Sequence, residues 1–367
     1  MTYLLAAVLS LSLVAGCSSA ASSSSSASSE AVPSSKSSPV SSETSSQPSS
    51  EASSAPEASS SVEPEEELLI RAAVLKGPTG IGMVKLMDDA EAGTSGNAYT
   101  FSMSGSADEI VPAIVKGEID IAAVPANLAS VLYNKTNGGV QVLAINNLGV
   151  LYVVESGEEI QSVADLKGKT LYSTGKGTTP EFSLNYVLRQ NGLDPEKDLT
   201  IEYKSEASEV AAMLAEDTAA VAMLPQPFVT SALMNNEKLR VALDLTAEWD
   251  SIQQQSGGSS ALVTGVVIAR TDFVSEHPDE VAAFLEEYKA SCDFTASNLD
   301  DCADLVEKYG IVAKAAIAKK AVPACNISYI DGAEMKEKVS GYLGVLFEQK
   351  PESVGGVLPG DDFYYGA

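Results

Sequence analysis

Short apolar runs alternate with amphipathic stretches along the chain from residue 68 onward. In the first cycle the runs predict strands near Ile70–Leu75, Tyr99–Met103 and Ile119–Val124, and apolar residues within 110–115 recur at helical spacing. Strands that alternate with helices are typical of a mostly parallel sheet with right-handed crossovers. The pattern therefore predicts an α/β fold.

A second cycle repeats the first about one hundred residues later. Its strands are predicted near Thr170–Ser173, Thr200–Tyr203 and Ala219–Leu224, with a helix around Val210–Leu214. The two cycles share the order of their elements, so we expect two similar lobes, each a mostly parallel sheet flanked by helices. Ligands of such sheets bind beyond the carboxyl ends of the strands, so equivalent loops of the two lobes are expected to face each other across a cleft.

The chain is expected to return to lobe 1 after the second cycle. Two β-rich apolar runs, 148–155 and 262–270, flank that cycle and are candidates for the strands that cross between the lobes. We therefore assign residues 68–166 and 261–367 to lobe 1 and residues 167–260 to lobe 2. The helical segments near the C-terminus are expected to pack on lobe 1.

The first seventeen residues have the pattern of a bacterial lipoprotein signal. The apolar run Leu4–Val14 is too short to span a bilayer, and it is followed by small residues and a cysteine in the sequence LVAGC. We expect residues 1–16 to be removed as a signal peptide and Cys17 to carry a lipid such as palmitate. One departure is that Met1-Thr2-Tyr3 contains no Lys or Arg.

Residues 17–67 comprise the lipidated Cys17 and a linker rich in Ser, Ala, Pro and Glu. Such a composition cannot bury enough apolar surface to offset the loss of backbone entropy, so this linker is expected to be disordered. A flexible coil of ~50 residues has an end-to-end distance of about 40 Å. The linker therefore suits a tether between a membrane surface and a folded domain.

Composition excludes several classes of function. The formal net charge is −27, and no basic run is available to neutralise phosphates, so nucleic acid is not an expected partner. No later segment reaches about 18 unbroken apolar residues, so no further span is expected. Cys292, Cys302 and Cys325 have no C-x-x-C spacing and no His partner. Their odd number favours buried thiols, with one bridge and one free thiol as the alternative.

The loop KGPTG, Lys76–Gly80, lies between a predicted strand and a predicted helix. Met83 and Val84 stand where a P-loop needs Lys and Ser or Thr, and the G-x-G-x-x-G pattern is absent, so a nucleotide site is excluded. What remains is a set of backbone N–H groups at a helix start, which suits an anion.

A second copy of this loop, KGTTP, occupies Lys176–Pro180. The chain aligns with itself at an offset of one hundred without a gap over 76–133. We expect the two loops to be opposing lips of one cleft. Helix capping by Thr79 and Thr179 is an alternative role that is compatible with ligand binding.

Short polar residues follow the other predicted strands and complete a ring around the expected cleft. Such residues are common in turns, but together they suit hydrogen bonding to a small ligand. Trp249, the only tryptophan, is a candidate for stacking on the ligand or for packing. The predicted ligand-binding residues are Lys76, Gly77, Pro78, Thr79, Gly80, Ser104, Ser106, Asn127, Asn146, Lys176, Gly177, Thr178, Thr179, Lys204, Gln226 and Trp249.

The sequence offers little support for catalysis. His277 is the only histidine, and it precedes Pro278 at a predicted helix start, which is an exposed capping context. The sequence therefore indicates neither a Ser–His–Asp set nor a His-based zinc site. No carboxylates cluster in the expected cleft loops. We therefore predict a protein that is not an enzyme and that has no catalytic residues, no metal and no cofactor.

Four segments in this order give the chain a family resemblance. They are LVAGC at 13–17, GEIDIAAVPANLA at 117–129, SVADLKGKTLYST at 162–174 and VTGVVIARTDFVSEHPDEVAAFLEEY at 263–288. The chain resembles the solute-binding lipoproteins of ABC importers, in the branch of nitrate, sulfonate, taurine and thiamine-precursor binders. The resemblance covers roughly residue 68 to the C-terminus.

The resemblance implies a two-lobed Venus-flytrap fold, similar to type II periplasmic binding proteins. It implies ligand contacts on the first loop of each lobe, here Lys76–Gly80 and Lys176–Thr179. The ligand would be a sulfonate-, nitrate- or taurine-like anion or a thiamine-precursor-like heterocycle. The protein would be a monomer, lipid-anchored at the outer face of the cell membrane, that delivers the ligand to a permease driven by an ATPase.

Two other functions are compatible with this fold. A sensor would pass ligand occupancy to a membrane receptor instead of a permease. A flytrap-fold biosynthetic enzyme, such as the pyrimidine synthase of thiamine biosynthesis, relies on a cysteine-rich motif and histidines that this chain lacks.

Overall fold

The computed structural model of this chain describes residues 68–367. The predicted signal peptide, the lipidated Cys17 and the linker lie outside the described residues, so these three assignments stay predictions. Within the described part, no helix combines the length and the apolar character that a bilayer crossing requires.

The strands end within two residues of where the apolar runs predict them in both cycles. The strands of the described residues are β1 (Leu69–Leu75), β2 (Ala98–Ser104), β3 (Ile121–Pro125), β4 (Val140–Leu148), β5 (Leu151–Ser156), β6 (Thr170–Thr174), β7 (Thr200–Lys204), β8 (Val221–Pro225), β9 (Leu239–Asp244), β10 (Val263–Arg270) and β11 (Ile327–Ile330).

Helices follow most of these strands, and two of them begin after a residue whose side chain caps the helix. Ser106 accepts a hydrogen bond from the Asp108 N–H at 3.3 Å, and Asp244 accepts one from the Thr246 N–H at 2.8 Å. The helices are α1 (Pro78–Ile81), α2 (Val84–Ala92), α3 (Ala107–Val115), α4 (Ala126–Lys135), α5 (Thr179–Gln190), α6 (Ala207–Ala215), α7 (Phe228–Asn235), α8 (Leu245–Ser256), α9 (Thr271–Glu276), α10 (Pro278–Ser297), α11 (Leu299–Lys308), α12 (Ala315–Ala321) and α13 (Gly332–Gln349).

The strands form two sheets. The six-stranded sheet has the order β11-β4-β10-β3-β1-β2, and the five-stranded sheet has the order β7-β6-β8-β5-β9. We call the six-stranded sheet with the helices that pack on it lobe 1, and the five-stranded sheet with its helices lobe 2. Both lobes lie in one compact unit. The predicted two-lobed α/β fold is confirmed.

The two sheets are built alike, and both are mixed. In lobe 1, β1 pairs in parallel with β2 and β3, and in lobe 2, β6 pairs in parallel with β7 and β8. One strand in each sheet arrives from the other lobe and therefore runs antiparallel to its neighbours: β10 in lobe 1 and β5 in lobe 2. The repeat is visible in the elements, because α3 and α6, and likewise β3 and β8, begin and end one hundred residues apart.

The structure corrects the assignment of the first crossing strand. Residues 151–156 form β5, which pairs with β8 and β9 in lobe 2, although the sequence analysis assigned them to lobe 1. The chain leaves lobe 1 at the end of β4, and only Gly149 and Val150 separate β4 from β5. An apolar run that is buried on both faces predicts a strand but does not indicate which sheet it joins.

A continuous apolar core extends through both lobes. It contains residues of β3 and β4 in lobe 1, of α5 and α8 in lobe 2, and of α13, which contacts both α4 and α5. Of the C-terminal helices, α10 and α11 contact α2 of lobe 1, as the sequence predicts, whereas α12 contacts α7 of lobe 2. Cys292, Cys302 and Cys325 are buried free thiols, and burial raises the pKa of each thiol.

Candidate functional site

A cavity of about 540 Å³ lies between the loops that follow the strands of the two lobes. This volume is within the range of roughly 300–1,000 Å³ that is usual for small-molecule pockets. Of the predicted ligand-binding residues, seven line the cavity: Lys76, Pro78, Thr79, Ser106, Lys176, Thr178 and Lys204.

Equivalent positions of the two lobes form much of the wall. The pairs that are separated by one hundred residues are Leu75 and Gly175, Lys76 and Lys176, Pro78 and Thr178, Gly105 and Ser205, Ala107 and Ala207, and Pro125 and Pro225. The internal repeat therefore builds the cavity from both sides.

The loop between β1 and α1 forms the lobe 1 lip. The Lys76 N–H donates to the Ser104 carbonyl at 2.8 Å, which holds this loop beside the end of β2. The half-buried Lys76 and the buried Thr79 line the cavity, and the Thr79 hydroxyl donates to the Leu75 carbonyl at 3.3 Å. The hydroxyl oxygen can still accept a hydrogen bond from a ligand.

The loop between β6 and α5 forms the lobe 2 lip. The Thr178 hydroxyl donates to the Gly175 carbonyl at 2.7 Å, and the Gly177 N–H donates to the Glu181 carboxylate. Lys176 is exposed, and its ammonium group lies 5.9 Å from the centre of the Tyr203 ring. This lip therefore presents a lysine and a hydroxyl to the cavity, beside the Tyr203 ring of β7.

Three lysines line the cavity of this strongly acidic chain. Among residues 68–367, neither Lys76 nor Lys176 has a carboxylate oxygen within 4.0 Å of its ammonium group. The Lys204 ammonium lies 3.9 Å from Glu202 and 5.6 Å from the centre of the Tyr172 ring. Unpaired ammonium groups attract anions, and most strongly where the site excludes water.

The remaining wall combines apolar and polar residues. Pro125 and Pro225 lie at the ends of equivalent strands, and Tyr203 and Phe228 add aromatic surface from lobe 2. Burial raises the pKa of Tyr203, so its hydroxyl stays protonated at neutral pH and can donate a hydrogen bond. The exposed Asp108 and Glu109 at the start of α3 add negative charge on the lobe 1 side.

Comparison with known proteins agrees with this architecture. A family model described as the periplasmic substrate-binding protein of a phosphonate ABC transporter matches residues 83–312, more than half of the chain. The chain belongs to this family. The predicted resemblance to solute-binding proteins of ABC importers is thereby confirmed.

Solved structures show the same fold. An ABC transporter protein of Parabacteroides distasonis has 25% identity and a TM-score of 0.66, over 81% of this chain and 98% of that chain. The periplasmic aliphatic sulphonate binding protein of Escherichia coli has 16% identity and a TM-score of 0.60, over 78% of this chain and 90% of that chain. At this identity the second likeness shows the fold alone.

A curated relative matches a shorter stretch. A protein of Brucella abortus (strain 2308), which has only a provisional name as a binding protein, is 25% identical over 211 residues. The match covers 58% of this chain and 61% of the relative, so the chain spans about three fifths of that protein.

In this member of the periplasmic substrate-binding family, the other nine of the predicted ligand-binding residues do not line the cavity. They are Gly77, Gly80, Ser104, Asn127, Asn146, Gly177, Thr179, Gln226 and Trp249. Two of them, Gly77 and Gly177, lie in the lips themselves. Gly80 lies in α1, and the Ser104 carbonyl accepts the hydrogen bond from the Lys76 N–H. The ligand-binding role of each predicted residue stays a prediction.

Trp249 is a core residue. It is fully buried, its indole N–H donates to the Ser260 carbonyl at 2.8 Å, and its ring lies 4.5 Å from Tyr186 and 5.5 Å from Tyr342 between ring centres. The structure therefore supports packing, one of the two roles considered for it, and corrects its assignment as a ligand contact.

The polar residues off the cavity have partners elsewhere or are buried beneath it. The Gln226 side-chain oxygen accepts from the Thr230 N–H and hydroxyl at 3.2 and 2.8 Å. The Thr179 hydroxyl is buried and donates to Asn127 at 3.3 Å. Asn146 is 1% exposed, and its amide has no partner among the described residues.

Sequence reasoning missed several residues of the wall. Tyr203 and Phe228 line the cavity from lobe 2, and Thr264 of β10 lines it from lobe 1. Tyr203 lies at the end of a predicted strand and Phe228 lies two residues after the predicted ligand residue Gln226, so aromatic residues at these positions could have been included. Thr264 carries no such signal, because it lies on β10, a crossing strand, and does not follow a strand of either repeated cycle.

Proposed function

We propose that this protein captures a small organic anion in the cleft between its lobes and delivers it to an ABC permease. The observation that carries the proposal is the cavity, which equivalent loops of both lobes form. Its wall includes Lys76 and Lys176, whose ammonium groups have no carboxylate oxygen within 4.0 Å among residues 68–367. Family membership supports this role, because substrate-binding proteins of ABC transporters hold a ligand for a permease and make or break no bond.

The proposed ligand combines a phosphonate or sulfonate group with an apolar body. The matched family model names phosphonate, and the fold relative of Escherichia coli is described as binding an aliphatic sulphonate. Both groups are tetrahedral oxyanions on carbon, which lysines and hydroxyls such as that of Thr178 can hold. The prolines and Phe228 fit the carbon part of such a ligand.

A thermal-shift and calorimetric screen of the purified protein tests the ligand class. The panel contains alkylphosphonates and alkylsulfonates of increasing chain length, with phosphate, sulfate, nitrate and a neutral thiamine precursor as comparisons. We expect an organic phosphonate or sulfonate to give the largest shift and its affinity to fall as salt increases. Binding of the neutral heterocycle alone, independent of salt, would contradict the proposed anion.

Substitution of lysines tests the site. Lys76→Met should weaken binding of the best anion by about tenfold, as expected when a charge-assisted hydrogen bond is lost. Lys116→Met is the matched control, because this lysine is 65% exposed at the end of α3 and is not part of the cavity wall. Equal affinity of both variants would place the anion elsewhere.

We also propose that the protein is a monomer tethered to the outer face of the cell membrane through lipid on Cys17. The sequence LVAGC and the Ser-rich linker support this proposal. Cys17→Ala should move the protein from the membrane fraction to the soluble fraction and abolish incorporation of labelled palmitate. Retention of either property in the variant would exclude Cys17 as the anchor.

A further inference from the structure

Asn127 joins the two lobes from a position outside the cavity wall. It lies at the start of α4 in lobe 1 and is fully buried. Its amide nitrogen donates to the Ser353 carbonyl of lobe 1 at 2.9 Å and to the Gly177 carbonyl of lobe 2 at 3.3 Å. Its amide oxygen accepts from the Thr179 hydroxyl of lobe 2 at 3.3 Å. One side chain therefore bonds to both lobes.

The lobe 2 partners of Asn127 belong to the lip that lines the cavity. Gly177 lies between Lys176 and Thr178, both of which line the cavity, and Thr179 is the first residue of α5. A bond to the Gly177 carbonyl and a bond to the Thr179 hydroxyl fix the backbone on both sides of Thr178. Asn127 is thus placed to orient this lip.

A second buried polar contact joins the lobes on the same side. The hydroxyls of Ser183 in α5 and Tyr342 in α13 lie 3.1 Å apart, and both residues are fully buried. Buried polar groups that lose their partners are costly, so separation of the lobes here must expose these groups or leave them unpaired.

We propose that Asn127 is a latch that holds the lobes together and positions the Lys176–Thr178 lip, without contacting the ligand. The latch is made of this chain's own groups, so we expect it to act whether or not a ligand is bound. It therefore goes beyond the proposed capture of an anion and does not depend on which ligand binds.

The same helix provides a matched control. Asn134 lies seven residues after Asn127 on α4, and its amide nitrogen also donates to the C-terminal segment, to the Val354 carbonyl at 2.8 Å and the Val357 carbonyl at 2.7 Å. Both partners belong to lobe 1. Asn134→Ala therefore removes comparable bonds from α4 but leaves the bonds between the lobes intact.

The experiment measures the distance between the lobes in ligand-free protein by pulsed electron paramagnetic resonance. Spin labels are attached to Lys116→Cys and Glu216→Cys, which are exposed positions at the ends of α3 and α6, in a Cys17→Ser background. The other three cysteines are buried and are not expected to label.

We expect a single short distance between the two spin labels in the parent protein. The control variant Asn134→Ala should show the same distance. Asn127→Ala should add a longer distance, because loss of two hydrogen bonds between the lobes shifts the ratio of open to closed molecules about tenfold or more. A distribution for Asn127→Ala equal to that of the control would overturn the latch. So would a parent protein that shows only the long distance.

Thr179→Val keeps the proposal testable if Asn127→Ala folds poorly. It removes the hydroxyl that donates to Asn127 and retains the shape of the side chain, so we expect a smaller shift toward the long distance. The shift of the double variant Asn127→Ala/Thr179→Val should be less than the combined shifts of the single variants, since both break the same bond. Full additivity would overturn the coupling. Because these measurements use ligand-free protein, a result that contradicts the latch does not bear on the proposed ligand class.

Discussion

The two lips of the cavity have nearly the same sequence but different structures. In lobe 1, only Lys76 and Gly77 separate β1 from α1, and α1 has four residues. In lobe 2, Gly175–Thr178 separate β6 from α5, and α5 has twelve residues. The second lip is therefore longer and is supported by a full helix.

This difference changes the role of equivalent residues. Thr79 lines the cavity, whereas Thr179 is fully buried and is bonded to Asn127 across the lobes. The sheet topology brings both lips to the cleft, because the carboxyl ends of parallel strands share one edge of each sheet. The loop length then decides which side chains line the cavity.

The largest effect is expected at Trp249, which packs against α5, the helix that follows the lobe 2 lip. Trp249→Ala should lower the free energy of unfolding by about 3–5 kcal/mol, because it removes a fully buried aromatic ring on which α5 packs through Tyr186. Urea denaturation measures this loss, and Trp249→Phe, which keeps most of the ring volume, should cost less. A variant that loses ligand affinity at unchanged stability would restore the stacking role.

A smaller effect is expected from the glycines of the two lips. Gly77 has φ 144° and ψ −155°, a conformation almost restricted to glycine, whereas Gly177 has φ 79° in the left-handed region. Gly77→Ala should therefore lower the free energy of unfolding by about 2–3 kcal/mol and Gly177→Ala by about 1 kcal/mol. The cost arises from the Cβ atom against the adjoining backbone and not from contacts with other residues, since the nearest such contact would be 3.6 Å at Gly77 and none lies within 4 Å at Gly177. Equal losses in urea denaturation would show that the two backbones are equally strained.

The smallest effect separates the two threonines. Thr179→Val should lower the free energy of unfolding by about 1 kcal/mol, because the buried Asn127 amide oxygen loses its donor. Thr79→Val should change stability less and should weaken binding of the best anion from the screen by about fivefold. Denaturation and calorimetry of both variants test this division. A Thr179→Val variant that loses affinity and keeps its stability would reverse it.

Much of the fold follows from the apolar pattern. The ends of the strands depend on the local sequence, and the repeat at an offset of one hundred residues is visible when the chain is aligned with itself. The local sequence does not determine which sheet β5 joins, because a strand that is buried on both faces fits either sheet. The environment of Asn127 is also not local: its partner Ser353 is 226 residues away. The sequence places Asn127 beside the cleft, but only the folded chain shows that its amide is already bonded.

The apolar wall of the cavity shows a similar limit. Lys76 and Lys176 are conspicuous in the sequence because they recur in matching loops. Phe228 is not, since an aromatic residue at a helix start more often packs in a core than faces a ligand. It reaches the cavity from the start of α7, where its ring lies 3.6 Å from the place that a Cβ on Gly77 of lobe 1 would take.

The position of Trp249 also makes it an optical gauge of the molecule. It is the only tryptophan of the chain, and it lies between Tyr186 of lobe 2 and Tyr342 of lobe 1. Its emission therefore comes from one place, where the lobes share their core, and complete burial shifts that emission to short wavelength. A motion that parts α5 from α13 would admit water to the indole and shift the emission to the red, so this chain reports on its own opening without an attached dye.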